Sequence, residues 1–590
     1  VVLAEMAGQV VLASTDRERL DILAAGLPDI QAERREAAAQ GVALRVPLAD
    51  GRIAVLVRYH GGRPVYAAST NLEAARTISA DDVWAGGSAG LALDGEGEVL
   101  GMWDEGGARD SHRELVQRLT AMQALALMQH STHVAGTMIA AGVGPGARGM
   151  ASAATVRQWD FIDDLNEMIA EQATSDPVPV SNHSYTYLSG WQLGSFGFCP
   201  GDPQWYWLGD VAVSAEEDAR FGLYDDAAAA WDGILEAAPS YMTVKAIGND
   251  RGQGPAAGTA HCHFEGAGGL GGWSISTDVH PVDGGAGLGW DTVAGGGGAA
   301  KNTLTVGAVK DLPGGYAGPA SVEVWVASGW GPTDDGRLKP DVVANGVLLT
   351  SADSAGDAAY VALSGTSMAA AGVSGALALL RQHGQQVGLT LRGVDLKGLL
   401  IHTADEAGPA VGPDYVFGWG LVDVRAAVEL LSRAVGAPAH FSTATLLDGQ
   451  TWEIELWSVG SQPLRATLAW IDPPAGAQDG TSVDPPDSRL VHQLDLLALG
   501  PDGESRPWGL DPSDPGQPAS TGIQDRDPIE VVDIPVPTPG RYRVRVEHRG
   551  VLDPSGQPFV VWISGFAADA LFVDGFESGG TDAWSAVAPP

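Results

Sequence analysis

A chain of 590 residues is longer than one ordinary domain, so about two to four domains are expected. Apolar residues make up 45% and charged residues 18%, which supplies buried cores and excludes global disorder. A net charge of −39 excludes the basic footprint of a nucleic-acid binder and disfavours docking on anionic lipid, and it suits a soluble secreted protein.

Residues 1–82 read as a small α+β unit. Asp16 to Gln40 is charged with apolar residues at helical spacing, Arg52 to Tyr59 alternates as a strand does, and Tyr59 to Pro64 is a turn. The first residues, beginning with valine and carrying Glu5, do not read as a signal peptide, so a leader has been removed or the sequence is a fragment. From about residue 83 to 435, strands alternate with helices: strands at Val99 to Trp103, Val156 to Phe161, Val178 to Ser184, Tyr241 to Ile247 and Thr303 to Val309, and helices at Val134 to Ala141, to about Glu171, Leu223 to Ala238, Ser367 to Leu380 and Val424 to Leu431. That alternation predicts an α/β domain with a parallel sheet covered by helices. The longest apolar run, Met368 to Leu380, is broken by glycines and a serine and reads as a buried helix, not a membrane span. Residues 436–568 carry strand patterns separated by Pro, Gly and Asp clusters, which predicts an all-β sandwich or jelly roll, and 569–590 is a polar, Gly-rich tail.

Cys199 and Cys262 are the two cysteines; they form one disulfide or stay free. His261-Cys262-His263 resembles a metal motif, but its ligands are too close in sequence for a usual zinc geometry, and it reads as a loop without metal.

The chemistry concentrates at four places. Ser364-Gly365-Thr366-Ser367-Met368-Ala369-Ala370-Ala371-Gly372 leads small residues into a helix that starts at Ser367, where free N–H groups can hold an oxyanion. A plain helix N-cap is the bland alternative. His130-Ser131-Thr132-His133-Val134-Ala135-Gly136-Thr137 sets a histidine at the start of a small-residue helix. Asp104 follows the apolar strand ending at Trp103, and Asn249 follows the strand ending at Ile247, at strand ends where open α/β sheets build sites.

In the order Asp, His, Asn, Ser these features resemble the subtilase family of serine peptidases over about residues 83 to 435. Val180 to Tyr185, Asn302 to Val309 and Ser328 to Asp341 match as well, and the β-rich C-terminal region resembles that of bacterial subtilases with a C-terminal β-barrel. Three positions depart from the family pattern: Glu105 stands where Ser or Thr is usual, Ser131 where Gly is usual, and Ala371 where Pro is usual.

The resemblance implies a secreted, bacterial serine endopeptidase acting on protein or peptide substrates. Ser367 is then the nucleophile, His133 the general base, Asp104 its orienter, and Asn249 an oxyanion donor. Ser184, Tyr185 and Gly248 are expected to flank the substrate, and residues 1–82 to be a propeptide that blocks the cleft. No cofactor is required for the chemistry. Structural calcium is compatible with the resemblance, with Asp495, Asp525 and Asp527 as ligand candidates and solvated turn carboxylates as the even alternative. Neither nucleic acid nor membrane is an expected partner, and a monomer is expected. A catalytically silent binding protein on the same scaffold lacks support in a complete tetrad, and an esterase is disfavoured by the motif order and Asn249.

Overall fold

The computed structural model describes residues 2–6, 9–13, 30–47, 53–60 and 62–68 of the N-terminal region, and 75–566 apart from 145, 202, 267–270, 286, 313 and 438–439. The expected tail at 569–590 and the Asp16 to Asp29 part of the expected helix lie outside the described residues.

The central sheet has seven parallel strands. In chain order they are β1 (Val99–Asp104), β2 (Leu119–Ala121), β3 (Thr155–Asp160), β4 (Val180–His183), β5 (Met242–Ala246), β6 (Leu304–Val309) and β7 (Val342–Asn345). Their spatial order is β7-β6-β5-β4-β1-β3-β2. Strands β5, β6 and β7 are buried throughout, which explains near-continuous apolar runs such as that of β6. Helices α1 (Gln129–Ile139), α2 (Asp164–Gln172), α3 (Asp226–Ala237), α4 (Thr366–Gln386), α5 (Gly393–Thr403) and α6 (Val424–Ala434) cover it. The predicted alternation is therefore observed, with α1 starting five residues earlier than its pattern suggested. Asp225 caps α3 by accepting a hydrogen bond from Ala228 N at 2.8 Å. Helices α1 and α4 pack closely because Gly375 has no side chain: a Cβ there would lie 2.8 Å from the Met138 carbonyl oxygen.

A second sheet flanks the first. It pairs Trp191–Leu193, Trp205–Asp210, His261–Glu265 and Gly272–Ser276 in that order. His261-Cys262-His263 is thus a strand, not a loop. The disulfide Cys199–Cys262 ties the strand His261–Glu265 to the loop between the sheet's first two strands.

In the N-terminal region, Val2–Met6 pairs with Gln9–Ala13. Helix Ile30–Ala39 packs on a sheet of Arg45–Pro47, Ile53–His60 and Arg63–Ala68. That sheet is completed by Thr186–Tyr187 of the main body, antiparallel to Arg63–Ala68. Leu56, Tyr59 and Tyr66 share one apolar core with Phe196, Cys199, Tyr206 and Cys262 of the flanking sheet. Ile78, Ala80 and Val83 instead belong to the core of the parallel sheet.

The C-terminal region is the predicted sandwich. One sheet orders Phe441–Leu446, Gln557–Ser564, Leu464–Trp470 and Ile529–Ile534; the other orders Trp452–Ser458, Gly540–Arg549, Gln493–Gly500 and Gly503–Ser505. Leu468, Leu496, Val544 and Phe559 fill the space between them. The sandwich is bonded to the α/β body by buried polar contacts. Lys301 pairs with Asp472, both side chains fully buried, and Trp562 Nε1 donates to the Asp395 carbonyl at 3.0 Å in α5. His402 of α5 bonds Thr467 and Ser564, each at 2.9 Å. Removing one partner of a buried ion pair leaves an uncompensated charge, a loss of about 3–5 kcal/mol.

Candidate active site

The carboxyl ends of three adjacent strands, β1, β4 and β5, meet the N-termini of α1 and α4. This is where an open parallel sheet exposes side chains without a following crossover to cover them. β1 ends on Asp104, whose carboxylate is buried. Its Oδ1 accepts from the Glu105 N–H at 2.8 Å, the Ser131 hydroxyl at 2.8 Å and His130 Nδ1 at 2.6 Å.

That contact falls on a different histidine from the one expected as the base. His130, not His133, meets the carboxylate. α1 begins at Gln129, so His130 sits in its first turn beside the end of β1, and His133 lies one turn deeper. The His133 ring is fully buried among the backbone of Leu349 and Val361, and its Nδ1 lies 3.4 Å from Thr137 Oγ1. Burial first, and then the neighbouring His130, hold its pKa well below the usual imidazole value, so it stays neutral. Ser131, noted only as a departure from a family pattern, supplies one of the three bonds that hold Asp104.

Ser367 is the second residue of α4. Its hydroxyl donates to the Ser184 carbonyl at 2.9 Å, and the Ser184 hydroxyl donates to the Ser367 carbonyl at 2.7 Å. Backbone N–H groups in a helix's first turn have no intrahelical acceptor, so α4 presents its positive end here.

Asn249 follows β5 and leans on the same turn. Its Oδ1 accepts from Thr366 N at 2.8 Å and from Thr366 Oγ1 at 3.0 Å. A backbone N–H can only donate, so the atom facing it is the oxygen, and Nδ2 is turned the other way. Nδ2 is buried and has no acceptor among the described residues. Gly248, at φ +125°, allows the turn that delivers this amide; its N–H donates to Thr366 Oγ1 at 3.3 Å and its carbonyl accepts from Gly329 N at 3.1 Å.

Ser184, Tyr185 and Gly248, the residues expected to flank the substrate, are all buried. Ser184 and Gly248 bond the turn that carries Thr366 and Ser367. Tyr185 is buried: its hydroxyl donates to Asp164, and its ring carries the Lys245 ammonium 3.3 Å from the centroid. Burial pushes Lys245 down to about 7. The edge beyond, Thr186–Tyr187, is taken by Arg63–Ala68.

The calcium candidates do not converge. Asp495 is held by a two-pronged pair with Arg549 at 2.6 Å, Asp527 accepts from Leu338 N at 3.1 Å, and Asp525 is exposed. Among the described residues, two other groups bring ligand atoms within 4.8 Å of one another: Glu217, Asp291 and Asp484, and His261, His263 and His280. In the acidic group, the buried oxygens of Asp291 and of neighbouring Asp334 receive no hydrogen bond from the described residues.

The family model described as the subtilase family matches residues 108–420, just over half of the chain, and spans His130, Asn249 and Ser367. A sequence comparison with curated proteins gives no match. Among solved structures, the self-cleaved protease domain of PatA is similar, with 20% identity and a TM-score of 0.36; the aligned part covers 58% of this chain and 99% of that one.

Proposed function

The chain belongs to the subtilase family of serine endopeptidases, and we propose that Asp104, His130 and Ser367 are its triad, with Asn249 as the side-chain donor of the oxyanion hole. The Asp104–His130 contact carries this reading. A carboxylate at Nδ1 fixes the imidazole tautomer, leaving Nε2 as the base, and stabilises the imidazolium that forms in the reaction. His130 takes the Ser367 proton as the hydroxyl attacks the peptide carbonyl, then delivers it to the leaving amine. The tetrahedral oxyanion draws on Asn249 Nδ2 and on the Ser367 N–H. An amide already oriented by Thr366 needs no reorganisation as charge develops. Water then repeats the sequence on the acyl-enzyme. The family's chemistry requires no cofactor.

Residues 1 to about 74 act as a propeptide in this reading. Their strand Arg63–Ala68 pairs with Thr186–Tyr187, two residues past Ser184, along the edge an extended substrate would use for strand addition. The disulfide Cys199–Cys262 supports maturation in an oxidising, extracytoplasmic compartment, and a monomer remains the expected state. Structural calcium fits Glu217, Asp291 and Asp484 better than Asp495, Asp525 and Asp527, because burial and mutual repulsion push Asp291 well above the usual carboxylate range and a cation would reverse that.

The test uses casein and a serine-directed phosphonate. Wild type is expected to cleave casein and be labelled, while Ser367→Ala does neither; cleavage surviving the substitution refutes the nucleophile. N-terminal sequencing of active protein is expected to begin beyond Ala68, and an active chain that retains residues 1–68 would overturn the propeptide reading.

A further inference from the structure

The flanking sheet places three imidazoles at one point. A strand turns alternate side chains to opposite faces, so His261 and His263 share a face while Cys262 faces the other way into its disulfide. The closeness in sequence that argued against a metal is, on a strand, what puts both rings on one side. His280, beyond the next strand, completes the group. The ring centroids lie 5.2, 5.8 and 5.9 Å apart. Rings bound to one tetrahedral ion through nitrogens at about 2.0–2.1 Å have centroids about 5 Å apart.

The hydrogen bonds select the donor atoms. His261 Nδ1 faces the Thr259 carbonyl at 3.0 Å, and His280 Nδ1 faces the Ala215 carbonyl at 2.8 Å. A carbonyl only accepts, so each Nδ1 carries the proton and each Nε2 keeps its lone pair. His261 Nε2, His263 Nδ1 and His280 Nε2 are all buried and have no partner among the described residues. Trp207 stacks on His280 at 4.6 Å, and Trp191 packs edge-on against His261 at 4.8 Å, so indoles wall the point and lock the rings.

We propose that His261, His263 and His280 form a binding site for a divalent transition-metal ion of the zinc class, with a fourth position left for water. Three neutral imidazoles suit zinc, cobalt, nickel or copper and disfavour calcium and magnesium. The ion ties the strand His261–Glu265 to the segment after Gly272–Ser276. That segment bonds the oxyanion loop: Asp283 N donates to the Gln253 carbonyl at 2.7 Å, and Gln253 Nε2 donates to the Asn249 carbonyl at 3.1 Å. The site therefore braces the cleft without entering the chemistry.

The test uses the full chain carrying Ser367→Ala, which prevents autolysis, stripped with chelator and held in excess calcium to occupy carboxylates. Titration with zinc is expected to load one ion per chain and to raise the thermal midpoint by a few degrees. Cobalt is expected to give the visible bands of a tetrahedral nitrogen site. His263→Gln and His280→Gln, each made singly, are expected to lose the bands and weaken zinc binding at least about tenfold. Equal zinc uptake by the parent and both variants overturns the proposal. If the variants do not fold, the cobalt spectrum of the parent alone decides, and absence of tetrahedral bands there overturns it.

Discussion

At the end of β1, His130 turns Nδ1 to a carboxylate, 2.6 Å from Asp104; in the flanking sheet, His261 and His280 turn theirs to the carbonyls of Thr259 and Ala215. Both arrangements fix the tautomer and leave Nε2 with its lone pair. They differ in the charge behind the ring. A buried carboxylate favours the imidazolium and so suits a group that must accept a proton. A neutral carbonyl in a dry setting favours the uncharged ring and so suits a lone pair kept for a ligand. His133 is a third case, buried with no carboxylate partner among the described residues, and it teaches that being in the right motif is not the same as being in the right turn.

The largest expected effect separates His130 from His133. His130→Ala and Ser367→Ala are each expected to lower kcat on the order of 10⁶-fold, as in other peptidases that use this triad, while His133→Gln lowers it less than about tenfold per folded molecule. Comparable losses from His130→Ala and His133→Gln, normalised by active-site titration, would break the comparison. Next comes the amide that Thr366 orients. Asn249→Ala is expected to reduce kcat by about 10²–10³, or ~3–4 kcal/mol, with little change in KM. An effect confined to KM would remove Asn249 from the oxyanion hole.

A third prediction concerns pH. The folded pKa of His133 lies well below the unfolded value of about 6.5, so below pH 6.5 the unfolded chain binds a proton that the folded one refuses. The stability of the parent relative to His133→Gln should therefore be unchanged above that pH and fall as pH drops below it, by up to about 1.4 kcal/mol per pH unit. Denaturant melts in the Ser367→Ala background measure this, and a difference independent of pH would place a protonated ring in the fold. The smallest effect belongs to Ser131→Gly, which removes one of three bonds to Asp104. It should lower kcat by about fivefold, near 1 kcal/mol, and Ser131→Thr should restore most of it.

Much of the fold was legible because its signals are local. Buried parallel strands such as β6 are apolar runs, small-residue helices such as α4 stand out, and the sandwich strands are punctuated by Pro and Gly. The site was legible in its residue types and less so in its geometry. His130 and His133 are one helical turn apart in one motif, and only the start of α1 at Gln129 determines which of them reaches β1. The trio failed for a different reason. Whether His261 and His263 share a face depends on strand geometry, and His280 comes to them only through the pairing of His261–Glu265 with Gly272–Ser276. The edge role of Thr186–Tyr187 is likewise a long-range pairing that no local pattern encodes.

The shared core of the N-terminal strands and the flanking sheet has a consequence for timing. Leu56, Tyr59 and Tyr66 interlock with Phe196, Tyr206 and Cys262, and Arg58 pairs with Glu33 within the unit and Arg63 with Asp210 across the boundary. A chain cut between Ala68 and Ala75 would still hold its two pieces together through those contacts. Under the proposed propeptide reading, scission and departure are separate events with separate clocks: the first would set when a nicked, still-silent complex exists, and the second, governed by how fast the small piece unfolds or is digested, when the cleft opens to other proteins.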